Sequence, residues 1–209
     1  MKIVFLGSSV TYGDDGWSMC EYIRETMEWD VVKWAVPGTT LADISEGSYV
    51  SRLKQHIDTQ NQCDCFVCQL STNDAAKELP LGEISVSKDI GDYDISTVIG
   101  AIEYIISRVT EKWNCPIVFY TGTYMENKNY QKMVDALFEL HKKWNFEIID
   151  LWNNPQMRAI DLERYNRYMM DPVHPNKLGY REWWGPEFVK NLKRLLNMQK
   201  YSKHTVILA

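Results

Sequence analysis

Short apolar runs and longer amphipathic stretches take turns along this chain. KIVFLG (2–7) is almost wholly apolar and closes on a glycine. VVKWAV (31–36), CFVCQLS (65–71), PIVFYTG (116–122) and FEIIDLW (146–152) repeat the pattern. Runs of this length, bounded by Gly, Pro or polar turns, suit strands buried on both faces. The stretches between them have helical spacing. WSMCEYIRETME (17–28) places Met19, Tyr22, Ile23 and Met27 on one side. ISTVIGAIEYIISRVTEKW (95–113) carries Ile95, Val98, Ile99, Ile102, Ile105, Ile106 and Val109 at intervals of three and four. NYQKMVDALFELHKKW (129–144) and a segment from about 180 to 196 also read as helices, as does 41–58 in spite of Gly47.

Strands alternating with helices imply parallel crossovers and a sheet covered on both faces. The expected fold class is therefore α/β: a three-layer α/β/α sandwich with a five-stranded parallel sheet in the flavodoxin-like order 2-1-3-4-5. No repeat or linker interrupts the pattern, so 1–209 reads as a single domain, with a core over about 2–196 and a tail over 197–209. Two segments stand apart. AAKELPLGEISVSKDIGDYD (75–94) has no periodicity, and a loop of that length starting just after Asn73 is expected to wall the cleft at the strand ends. YSKHTVILA (201–209) ends in a β-prone run that would add to a sheet edge or pair between subunits.

The bulk numbers narrow the partners. A formal charge of −5 without any Lys/Arg-dense run argues against nucleic acid. No stretch approaches the ~20 apolar residues of a membrane span. The first strand begins at about Lys2, which leaves no room for an export leader, and the expected location is cytoplasmic. The 5 Cys include the cluster CDCFVC (63–68), which invites a zinc reading. No second Cys pair or His pair completes such a site, and free cysteines acting as small hydrophobes fit better. No metal or organic cofactor is expected.

Open sheets of this kind bind ligands outside the carboxyl ends of the strands, where strand order reverses. The residues that follow those ends are informative. After the first strand comes GSSVTYG (7–13), after the second VPGTT (36–40), after the third STND (71–74), and before the last helix DPVHPN (171–176). Together these supply the parts for acyl transfer. A serine hydroxyl becomes a nucleophile when a base takes its proton, and His174 is a candidate base. Asp171, three residues earlier in a turn stiffened by Pro172 and Pro175, can hold the imidazole tautomer. The N–H groups of Ser9 and Gly38 and the Asn73 amide can face a tetrahedral oxyanion. His56 and His141 sit among charged residues in expected helices, and His204 in the tail; none has an acid in a rigid turn.

These four segments resemble the four blocks of the SGNH hydrolases, the GDSL-type esterase and lipase superfamily. The resemblance runs over about residues 2–196 and places the family serine on Ser9, its glycine on Gly38, its asparagine on Asn73 and its Asp-x-x-His on Asp171 and His174. It implies an esterase or acylhydrolase acting through an acyl-enzyme on a small-molecule ester, as a monomer or homo-oligomer. Small carboxylic esters are expected, with a lean toward O-acetyl groups on carbohydrates. Lysophospholipid and thioester cleavage are alternatives within the superfamily, and a non-catalytic nucleotide- or carbohydrate-binding module is an alternative outside it. The chain departs from the family pattern twice. Ser8 stands where Asp is usual and is expected to bond within the turn. Ser71 stands where Gly is usual and is expected at the substrate pocket, with Tyr12 and Trp17. Trp183 and Trp184 read as packing.

Overall fold

The computed structural model describes residues 1–206, with side chains described through 197. In chain order the elements are β1 (Lys2–Gly7), α1 (Ser9–Tyr12), α2 (Met19–Met27), β2 (Asp30–Ala35), α3 (Tyr49–His56), β3 (Cys65–Gln69) and α4 (Thr72–Ala76). There follow α5 (Val98–Trp113), β4 (Ile117–Tyr120), α6 (Lys128–Lys143), β5 (Glu147–Ile149), α7 (Pro155–Arg158), α8 (Leu162–Tyr168), α9 (Lys177–Gly179), a π-helical turn (Tyr180–Trp184) and α10 (Gly185–Val206).

All four strand pairings are parallel and the order is β2-β1-β3-β4-β5, with Ile3 opposite both Val31 and Cys65. Side chains alternate across the sheet, so each strand feeds two cores. Val4, Leu6, Phe66 and Phe119 pack against Leu53 of α3, Ile102 of α5 and Leu137 of α6. Ile3, Phe5, Val67 and Tyr120 pack against Ile23 of α2 and Phe188 of α10. The fold is thus an α/β/α sandwich whose order reverses between β1 and β3. The same alternation sends Cys65 into one core and Cys68 into the other, so CDCFVC cannot close around one ion. No described helix is long and apolar enough to cross a membrane.

Helix α5 shows why these residues form these elements. Thr97 caps its amino end by accepting the Gly100 N–H at 3.2 Å, and Asn114 ends it in the left-handed region at φ 46°. Its buried face carries Val98, Ile99, Ile102, Ile105, Ile106 and Val109, while Ile95 precedes the helix.

One expectation needs correction, and two others meet the structure only in part. The helix placed over 41–58 begins only at Tyr49. The N–H groups of Leu41 and Ala42 are taken by the Asp74 carboxylate, at 2.8 and 2.9 Å, and Ser48 caps the late start by accepting from Ser51. Helix α10 continues to Val206, and the end of the β-prone run expected over 201–209 lies outside the described residues.

Loop 75–94 begins at the carboxyl rim, where Lys77 Nζ donates to the Gly38 carbonyl at 3.5 Å, and its middle then leads away. It is fastened along α5 and α6 by Glu103, a fully buried carboxylate that accepts from Ser85 N–H at 3.0 Å, Trp144 Nε1 at 2.9 Å and Lys143 Nζ at 2.6 Å. The same Lys143 ammonium donates to the carbonyls of Ser85 and Ser87. A buried carboxylate needs donors, and these hold the middle of the loop, at Ser85 and Ser87, along α5 and α6.

Lys143→Met would strand the Glu103 charge in the core. The expected loss is about 3 kcal/mol, read from the urea midpoint, and the double variant with Glu103→Gln should recover part of it.

Candidate active site

Strand β1 ends at Gly7, where a Cβ would lie 1.6 Å from Thr11 Oγ1 and 2.8 Å from Gln69 Oε1. Only glycine lets the chain turn this tightly into α1. The two serines that follow face opposite ways. Ser8 is fully buried; its N–H donates to Gln69 Oε1 at 2.9 Å and its hydroxyl leans toward the same oxygen at 3.4 Å. Its N–H and hydroxyl thus face β3, while its carbonyl accepts the Tyr12 N–H at 2.8 Å within its own turn. Ser9 is partly exposed, and its Oγ lies 2.8 Å from His174 Nε2.

The imidazole is held from its other side. His174 Nδ1 lies 2.8 Å from Asp171 Oδ2 and 3.0 Å from Oδ1, so the carboxylate assigns the ring proton to Nδ1 and leaves Nε2 free to accept from Ser9. Oδ1 also accepts the N–H groups of Val173 at 2.7 Å and His174 at 2.9 Å. Burial alone would raise the Asp171 carboxyl, but the Val173 N–H, the imidazole and the His174 N–H hold it below the usual carboxylate value. Two bonds dock this turn onto the serine turn. Lys177 N–H donates to Asp14 Oδ2 at 2.9 Å, and Tyr180 Oη donates to the Val10 carbonyl at 2.8 Å.

Gly38 follows β2 with φ +77°, in the left-handed region, although a Cβ there would meet nothing within 4 Å. Its conformation, not crowding, calls for glycine. Asn73 Nδ2 donates to the Thr39 carbonyl at 2.9 Å, which joins the Gly38 loop to the start of α4 and leaves the second amide hydrogen without an acceptor among the described residues. Among the described residues, the N–H groups of Ser9 and Gly38 have no protein acceptor. Asp74 grips the same loop through Leu41 and Ala42. Burial raises its carboxyl above the ordinary value despite the Ala42 N–H, the Ser71 hydroxyl and the Leu41 N–H.

The structure thus brings Ser9, His174 and Asp171 into one hydrogen-bonded line, with Gly38 and Asn73 linked through Thr39. The three residues expected to contact substrate fare differently. Tyr12 is 39% exposed beside the serine turn. Trp17 belongs to the core under α2: its Nε1 donates to Glu25 at 3.1 Å, and Lys177 and Arg181 cover its ring. Ser71 is fully buried and caps α4 by accepting the Asn73 N–H at 3.2 Å. Both of the last two are buried. Gln69, Asp14 and Tyr180 escaped the sequence reading. Only Gln69 left a signal, as a polar residue within an apolar strand.

A cavity of about 1030 Å³ opens at the opposite, amino-terminal end of the sheet, among Met1, Asp64, Trp113, Cys115, Trp144 and Glu147. It holds none of the hydrogen-bonded line, and the chemistry points to the carboxyl rim.

Because the folded-state value of Asp171 is lowered, its bonds stabilise the fold in full above about pH 4 and fade as pH falls through the lowered value. The urea midpoints of wild type and Asp171→Asn should differ by a constant amount above about pH 5 and converge below pH 4. Equal midpoints at every pH would mean that these bonds add no stability.

The profile of the GDSL-like Lipase/Acylhydrolase family matches residues 5–182. No curated protein matches the chain in sequence. Several solved structures share its fold. One from Lactobacillus plantarum has a TM-score of 0.75 at 18% identity, covering 94% of this chain and 96% of its own. A protein from Bacteroides ovatus assigned to the GDSL-like lipases has a TM-score of 0.64 at 16% identity, covering 92% and 98%. The aryl esterase of M. smegmatis has a TM-score of 0.62 at 13% identity, covering 93% and 99%. With the profile match spanning most of the sequence, the chain belongs to the GDSL-like lipase/acylhydrolase family.

Proposed function

We propose that this chain hydrolyses small carboxylic esters by a Ser-His-Asp mechanism, with O-acetyl groups on carbohydrates as its substrates. The observation that carries the proposal is the line from Ser9 Oγ through His174 to Asp171, with 2.8 Å at each link.

In the first half-reaction, Ser9 Oγ attacks the ester carbonyl while His174 Nε2 accepts its proton. Asp171 steadies the imidazolium that forms. The carbonyl oxygen becomes an oxyanion facing the N–H groups of Ser9 and Gly38 and the free hydrogen of Asn73 Nδ2. Collapse breaks the C–O bond to the alcohol, which leaves with the proton from Nε2. Water then attacks the acyl-enzyme; Nε2 takes one of its protons and returns it to Ser9 Oγ as the acid departs. These groups handle every proton and electron pair, so the proposal calls for no metal or organic cofactor.

Ser9→Ala and His174→Ala should each lower kcat on p-nitrophenyl acetate by roughly 10⁴-fold or more. Asn73→Ala should cost on the order of 10²–10³. A fluorophosphonate adduct should map by mass spectrometry to Ser9. Labelling at Ser8, or turnover indifferent to both Ser9→Ala and His174→Ala, would overturn the assignment. Acetate release from acetylated xylose, compared with hydrolysis of a p-nitrophenyl decanoate, tests the substrate class. Preference for the long acyl chain would sink it.

A further inference from the structure

The two backbone donors proposed for the oxyanion sit on separate loops. Ser9 N–H follows β1, and Gly38 N–H follows β2. For both to serve one oxygen they must be held within a few tenths of an ångström of a common point. The β1–β2 ladder ends with Gly7 opposite Ala35, and beyond it one further, long backbone hydrogen bond joins the two segments, Val36 N–H to Gly7 O at 3.3 Å.

Arg52, on the inner face of α3, supplies a side-chain link beyond the end of the ladder. It is 5% exposed, and all its acceptors are neutral. Nη2 donates to the Gly7 carbonyl at 2.8 Å and to Thr39 Oγ1 at 2.9 Å. Nη1 donates to the Trp34 carbonyl at 3.0 Å, and Nε to the Gly47 carbonyl at 3.1 Å. The guanidinium therefore touches the last residue of β1, the end of β2, the residue after Gly38, and the segment entering α3. Among the described residues it has no carboxylate partner. A buried charge is costly, and a counter-ion is its usual relief. Here the planar fork is spent instead on tying together the two loops that carry Ser9 and Gly38, which a lysine's single ammonium cannot span.

We infer that Arg52 is the positioning residue of the oxyanion site: it fixes the Ser9 and Gly38 N–H groups relative to each other, and sets a permanent positive charge behind the developing oxyanion. This inference rests on the ester-hydrolase reading above.

Thr39→Val and Thr39→Ser test it with little risk to folding, because Thr39 lies at the partly exposed end of the link. Thr39→Val should lower kcat on p-nitrophenyl acetate about tenfold while KM stays within about threefold, and Thr39→Ser should recover most of that loss. Arg52→Lys should cost on the order of 10²-fold in kcat. Arg52 touches neither His174 nor Asp171, so the acid limb of the kcat/KM profile should not move in any variant. Added guanidinium at non-denaturing concentration should restore part of the activity of Arg52→Ala and leave wild type unchanged.

The inference is overturned if folded Arg52→Lys and Thr39→Val both keep kcat within threefold of wild type. It also fails if their losses merely track the loss of folded protein, or come with a shifted acid limb. Should the Arg52 variants not fold, the Val and Ser variants at Thr39 decide. A wild-type protein inactive on every ester would instead refute the functional reading on which the inference rests.

Discussion

The contact between Ser9 Oγ and His174 Nε2 joins residues 165 positions apart, and the rest of the structure is arranged around making it possible. A hydroxyl and an imidazole meet at 2.8 Å only if the end of β1 and the turn before α10 are both rigid and docked on each other. The sheet meets the first need by placing β1 in the interior, paired on both sides, with its order reversing at that strand. The second is met by bonds outside the line itself. Tyr180 holds the Val10 carbonyl, and Asp14 holds the backbone at Lys177. The side-chain contact is then a consequence of backbone docking that would exist without it.

Beneath the rim, this arrangement depends on buried polar groups. Gln69 accepts from the Ser8 backbone and the Thr11 hydroxyl, and Thr11 in turn meets Tyr120 at 2.6 Å. Asp74 takes two N–H groups from the loop after Gly38, and Arg52 reaches carbonyls on three segments. Each such group gives up hydration that apolar packing would never have required. Their return is directional: they fix where loops stand, which a hydrophobic contact does poorly. The far end of the sheet shows the same logic, where Glu103 and Lys143 fasten the long loop against α5 and α6.

Much of this was legible along the chain. The five apolar runs became the five strands, β1, β3 and β4 because strands buried on both faces need continuous apolar sequence and β2 and β5 as the partly exposed edges, and the stripe on α5 survived from Val98 onward. The residues that converge on the rim could be named because their blocks resemble a known family and the fold class fixes which end of the sheet to search. What escaped notice depends on distance in sequence. Nothing near Leu41 announces that Asp74 will take its N–H, so the helix at Tyr49 was expected eight residues too early. Trp17 and Ser71 looked like pocket residues because they neighbour the right blocks, yet one packs under α2 and the other caps α4. Adjacency in sequence does not tell which way a side chain points.

The account stands on one geometric claim, that the groups gathered at the carboxyl rim surround an oxyanion. A crystal structure of the protein phosphonylated by a small alkyl fluorophosphonate tests it directly. The account predicts phosphorus bonded to Ser9 Oγ, with one phosphonyl oxygen between about 2.7 and 3.1 Å from Ser9 N, Gly38 N and Asn73 Nδ2. A phosphonyl oxygen turned to solvent, with the Gly38 N–H engaged elsewhere, would contradict it.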